Sequence, residues 1–155
     1  MKATPRKAER EIALVFSQFF SDIGMSPVER IPILGRTGPD ITINEAKLVI
    51  DVKSRKSVPV KMTAIQGCLH QTDNVSFFQL SDMQILDQLK IVPASFSSIT
   101  TVSWLNHMQE WTKEECPEGI SMIVMRKPGT PYPKSTVIIY SSDLRRLQCQ
   151  MQYKS

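Results

Sequence analysis

A chain of 155 residues with 41% hydrophobic content and a net charge of +4 is the size of one globular domain, long enough to bury a core without disulfides or a structural metal. No apolar run approaches the roughly 18 residues that span a bilayer, and MKATPRKAEREIAL at the N-terminus places charges where a signal peptide has its apolar stretch. A soluble intracellular protein is therefore expected, in the cytoplasm of a prokaryote or of a virus-infected host cell, with no membrane partner. Cys68, Cys116 and Cys149 are odd in number and form no CxxC pair, which argues against a disulfide framework and a zinc site.

From Thr4 to about Gly24, Ile12, Val15, Phe16, Phe19, Phe20 and Ile23 recur at helical spacing, which predicts an amphipathic helix with Gly24 as its stop. Residues 28–34 (VERIPIL) predict a short strand, and residues 35–39, with two glycines and a proline, a loop. Asp40–Ile43 and Leu48–Lys53 predict a hairpin joined around residues 44–47. Another helix is expected from about Lys61 to Thr72. Residues 76–118 carry weaker signals, with helices near 80–90 and 103–115 on either side of the Ser/Thr-rich stretch Ser95–Ser103. ISMIVMR (120–126) and STVIIY (135–140) flank the Pro-rich segment 128–133 and predict a second hairpin with a stiff loop, and Asp143 to Met151 a final helix. No repeat, low-complexity tract or linker divides the chain, so residues 1–155 are read as a single domain.

The positive charge is unevenly placed. Residues 1–61 hold 11 Lys and Arg against 7 acids, whereas residues 62–155 hold 8 against 8. The whole excess lies in the first two-fifths, as expected of a surface that meets a polyanion; a basic face serving only solubility is the plain alternative.

Within the first hairpin, alternation along the second strand sets Val49, Asp51 and Lys53 on one face and Leu48, Ile50 and Val52 on the other, core-facing one. A turn centred on Glu45 and Ala46 pairs Ile43 with Leu48 and Asp40 with Asp51. Cross-strand neighbours lie about 4.5–5.5 Å apart at Cβ, and like charges there repel unless a cation stands between them. Carboxylates and water are the ligands of hard Mg²⁺, with Mn²⁺ as an alternative, and the backbone carbonyl of Val52 would complete the shell. Helical phase selects a third carboxylate: with Glu9 at zero, Phe16 falls at about 340° and Phe20 at about 20°, but Glu11 at about 200°, so Glu9 stands in the apolar stripe and Glu11 on the solvent side. A carboxylate in such a stripe is costly unless paired or bound to metal. The set Glu9, Asp40, Asp51 and Lys53 suits phosphodiester hydrolysis: the metal activates water, and Lys53 orients it or offsets charge on the phosphate. Arg36, Arg55, Lys56 and Lys61 are candidate phosphate contacts. His70 and His107 lack partners at metal-ligand spacing and are expected to be structural. Trp104 and Trp111, seven apart on a predicted helix, are expected in the core, and Tyr132 at a loop tip on the surface.

At Pro39-Asp40, Asp51-Val52-Lys53 and the run Lys7-Ala8-Glu9-Arg10-Glu11, the sequence resembles the PD-(D/E)xK nuclease superfamily, and within it most closely the archaeal and phage-type Holliday-junction resolvases. The resemblance spans about residues 5–66. It implies a restriction-endonuclease-like α/β core, a mixed central β-sheet flanked by helices, with residues 73–118 as a helical insertion. It also implies metal ligation by Glu9, Asp40 and Asp51, a catalytic Lys53, and a phosphate- or water-contacting role for Gln66 on the helix after the motif. The expected substrate is branched DNA, a four-way junction, cut by a homodimer because symmetric junctions need paired incisions. The rival expectations are a restriction- or repair-type nuclease acting on duplex, flap or nicked DNA, a catalytically silent DNA-binding module of the same fold, and a protein-interaction subunit.

Overall fold

The computed structural model of the chain describes residues 5–22, 28–30, 41–43, 47–56, 63–94 and 99–154. Helix α1 (Pro5–Asp22) precedes three strands, β1 (Val28–Arg30), β2 (Ile41–Ile43) and β3 (Leu48–Ser54). Strands β4 (Cys68–Gln71) and β5 (Val75–Gln79) follow, then a 3-10 segment (Leu80–Gln88), β6 (Lys90–Pro93) and helix α2 (Ile99–Glu115). The chain closes with β7 (Ile120–Arg126), a 3-10 turn (Tyr132–Lys134), β8 (Thr136–Tyr140) and α3 (Ser141–Lys154).

The described strands form one eight-stranded mixed sheet in the order β1-β2-β3-β7-β8-β5-β4-β6. The pairs β3·β7 and β4·β6 are parallel and the others antiparallel. Both faces are covered. On one face, Ile12, Phe16 and Phe19 of α1 and Leu144 and Leu147 of α3 pack on Leu48, Ile50, Met122, Val124 and Ile139. On the other, Leu105 and Met108 of α2 pack on Val49, Ile123, Met125 and Ile138. Every residue of β7 is buried, which is why ISMIVMR reads as a continuous apolar run rather than an alternating one. Two serines in these buried strands are satisfied locally: Ser121 donates to Thr112 of α2 at 2.9 Å, and Ser76 shares a 2.9 Å hydrogen bond with Ser141. Among the described residues no helix is long and apolar enough to cross a membrane.

The α/β architecture agrees with expectation, and so does the hairpin register: Ile41, Thr42 and Ile43 pair with Ile50, Val49 and Leu48. Two expectations are corrected. In place of a helix over 61–72 there is chain without regular structure at 63–65, a turn at Gln66-Gly67, and β4. Gly67 adopts φ +80°, a conformation that stops a helix and suits glycine, and its N–H donates to the buried Asp82 carboxylate at 2.8 Å. The segment 73–118 is not a helical insertion throughout. It adds β5 and β6 to the sheet, and among its described residues only α2 is α-helical. Leu80–Gln88 is 3-10 and breaks at Ile85 (φ −125°, ψ 32°), in keeping with the short reach of that helix type.

His70 is buried on β4, stacked on Phe77 with ring centroids 4.6 Å apart. Its Nε2 accepts the Ile65 N–H at 3.0 Å, which requires the neutral ring. Burial holds the imidazole below its usual 6.5, so over that interval the unfolded chain binds a proton that the native chain does not. The stability from the neutral ring is complete above about pH 6.5 and is lost as pH falls through the lower native value. Urea unfolding at about pH 7.5 and about pH 5.5 is expected to show a smaller acid loss in His70→Gln than in wild type; equal losses would assign the acid sensitivity elsewhere.

Candidate functional site

The site is built on the C-terminal half of β3. Leu48, Val49 and Ile50 are buried, whereas Asp51 to Ser54 are half-buried. The described pairing with β2 reaches Ile50, but the parallel ladder with β7 continues to Ser54 opposite Arg126, and the Arg55 N–H donates to the Arg126 carbonyl at 2.8 Å. Among the described residues, then, this half of β3 keeps a strand partner on one edge alone. Its side chains are rigidly placed by the ladder yet reach solvent.

Alternation puts Asp51, Lys53 and Arg55 on the face of Val49, toward α2. The Lys53 ammonium lies 3.0 Å from Asp51 Oδ2, with the two side chains 27% and 14% exposed. Half-buried Trp104, from α2, completes the group: its ring centroid is 5.5 Å from Lys53 Nζ and 4.9 Å from the Arg55 guanidinium. Arg55 also donates from Nη1 to the Ser54 carbonyl at 3.0 Å. Lys56 follows, exposed. One carboxylate, two cations and an indole thus share one sheet face, with a net positive charge suited to a phosphodiester.

The other predicted residues fall elsewhere. Glu9 is half-buried on α1, and the buried side chains described there, Ala8, Ile12, Phe16 and Phe19, lie to one side of it. Glu11 is half-buried too, not fully on the solvent side. Since α1 packs on the Leu48 and Ile50 face, the sheet stands between that helix and the face of Asp51 and Lys53. Gln66 is exposed in the turn before β4, not on a helix. Asp40, Arg36 and Lys61 lie outside the described residues. Among the described residues no group of three or more His, Cys, Asp and Glu is placed to hold a metal. The donor chemistry at Asp51, an oxygen ligand accompanied by backbone carbonyls, is of the kind a hard divalent cation takes, and it supplies part of a ligand set rather than the whole.

Three participants were not legible as such in the sequence. Trp104 does pack against the core, as expected, but also lies beside two cations. Tyr132 is not surface decoration: it packs against the core, and the Arg126 guanidinium lies 3.9 Å from its ring centroid. Arg126 itself is 7% exposed, and its Nε and Nη1 lack hydrogen-bond partners among the described residues. It occupies the end of β7 next to Ser54, on the α1 face of the sheet. The one sequence signal was an arginine closing an otherwise apolar strand.

No protein-family model, curated protein or solved structure matches this chain.

The Asp51–Lys53 pair is partly solvated, and such pairs contribute about 1 kcal/mol or less to folding. Asp51→Asn keeps an oxygen acceptor for Lys53, so denaturant unfolding should show a loss of about 1 kcal/mol at most; a loss above about 3 kcal/mol would mark a structural ion pair instead.

Proposed function

We propose that this chain is a metal-dependent DNA endonuclease of PD-(D/E)xK type, selective for four-way junctions and acting as a homodimer. The observation that carries the reading is the Asp51–Lys53 pair on one face of β3, beyond the described reach of β2, with Arg55 beside it. The topology is compatible with it: a helix, an antiparallel three-strand meander, and a crossover returning to a strand parallel to β3 are features expected of a restriction-endonuclease-like core. The basic excess of the first 61 residues fits a polyanionic partner.

In this reading Asp51, with Asp40 and the Val52 carbonyl, would hold Mg²⁺ or Mn²⁺, while Glu9, on the α1 face of the sheet, stands outside the ligand set. The chemistry supplied by the bound ion is activation of water and polarisation of the phosphodiester. Lys53 places its ammonium, held by Asp51, against the phosphate oxygens on which charge grows in the transition state. Arg55, with Arg36, Lys56, Lys61 and Gln66, binds the backbone and orients the scissile bond; these contacts position the nucleic acid without reading base sequence. A junction is then selected by its shape, and two copies of the chain present two sites to its two strands.

Cleavage of labelled four-way junction and plain duplex in Mg²⁺ tests this. Wild type is expected to cut the junction in preference, chelator to abolish cutting, and Lys53→Met to slow it by about 100-fold or more. Equal cutting of duplex would replace the junction assignment with a restriction or repair nuclease. No cleavage with retained binding would leave a DNA-binding module.

A separate expectation concerns affinity. With cleavage suppressed by chelator, Arg55→Met should reduce the slope of log affinity against log salt by about 0.9 on duplex, one phosphate contact. An unchanged slope would remove Arg55 from the interface.

A further inference from the structure

Lys53 and Arg55 are two residues apart on one strand face, so their stems emerge roughly 7 Å apart and their charges repel. Asp51 lies 3.0 Å from Lys53, but the second cation needs another attractor. Long lysine and arginine stems also sample many rotamers when nothing holds them. The indole of Trp104 answers both needs. Its π-face carries negative potential, Trp is the strongest such partner among the aromatic residues, and both cations lie within 5.5 Å of its centroid. Trp111, two turns further along α2, packs on the same core, so filling volume does not by itself explain what stands at 104. The Arg55 fork is held on a second side by the Ser54 carbonyl, and a guanidinium has five N–H donors, which leaves donors to present outward.

We propose that Trp104 is a positioning residue, its indole holding Lys53 and Arg55 side by side as the two arms of one phosphate clamp beside Asp51. The inference rests on the reading of this site as a phosphodiester hydrolase and adds to it a residue of α2. Trp104 itself touches no substrate; it acts through the two cations, so replacing it should weaken transition-state contacts and backbone binding together while leaving the fold intact.

The test is a double-mutant cycle of Trp104→Leu with Arg55→Met, with Trp104→Phe as the conservative variant. Single-turnover cleavage of junction DNA in Mg²⁺, equilibrium binding of the same DNA in chelator, and thermal midpoint are measured on each. Trp104→Leu is expected to lose about tenfold in cleavage rate and in affinity, Trp104→Phe to recover most of both, and Trp104→Leu to add a smaller loss, about threefold, in the Arg55→Met background, where the indole has only Lys53 left to hold. A folded Trp104→Leu that equals wild type, or one whose loss is as large in the Arg55→Met background as in the wild-type one, overturns the proposal. If Trp104→Leu does not fold, the cycle run with Trp104→Phe decides by the same criterion. If wild type binds DNA but does not cleave it, the hydrolase reading fails and the affinity cycle alone decides the clamp. A wild type that neither cleaves nor binds overturns both.

Discussion

The parallel ladder between β3 and β7 is the constraint on which the rest depends. It runs from Leu48 opposite Ile120 to Ser54 opposite Arg126, past the point where the described β2 pairing stops. One strand therefore serves two purposes. Through Ile50 it is core on both faces, and from Asp51 onward it is a rigid rail for polar side chains. A parallel neighbour also cannot follow a tight turn; it needs a crossover. Here the crossover contains β4, β5, β6 and α2, and it delivers α2, with Trp104, onto the face where Asp51, Lys53 and Arg55 stand.

The charges at this strand end serve stability poorly. A partly solvated carboxylate–ammonium pair contributes about 1 kcal/mol or less, and two neighbouring cations work against it. Across the sheet, two nitrogens of the Arg126 guanidinium, Nε and Nη1, have no hydrogen-bond partners among the described residues, and such buried unpaired donors cost about 1–3 kcal/mol each, offset in part by its place over Tyr132. The end of the β3·β7 ladder thus carries cations on both faces of the sheet, Lys53 and Arg55 toward α2 and Arg126 toward α1. Such a concentration of charge raises the local density of an anionic ligand, and that gives the arrangement a purpose that folding alone does not.

Where residues alternate along a strand, the sequence was legible. The period of two and a turn at residues 45–46 were enough to predict the register at Ile41, Thr42 and Ile43 and to set Asp51 beside Lys53. The run ISMIVMR announced a buried strand. Short strands with other surroundings were not legible: β5, VSFFQ, is buried along its whole length and shows no alternation, and its strand character comes from β4 and β8 on either side. CLHQ of β4 is too short for periodicity to separate strand from helix. On α1, counting Phe20 in the apolar set turned the predicted stripe toward Glu9, whereas Ala8, outside that set, is its buried neighbour. Trp104 over the cations and Arg126 over Tyr132 depend on where a crossover and a loop return, which no local pattern encodes.

The central claim is that Asp51 belongs to a divalent-metal site serving phosphodiester hydrolysis. The most direct measurement is calorimetric titration of Mg²⁺ and Mn²⁺ into wild type and Asp51→Asn, both shown to be folded. Saturable binding by wild type that Asp51→Asn loses is the result predicted. Binding absent from wild type, or equal in the two proteins, would contradict the account.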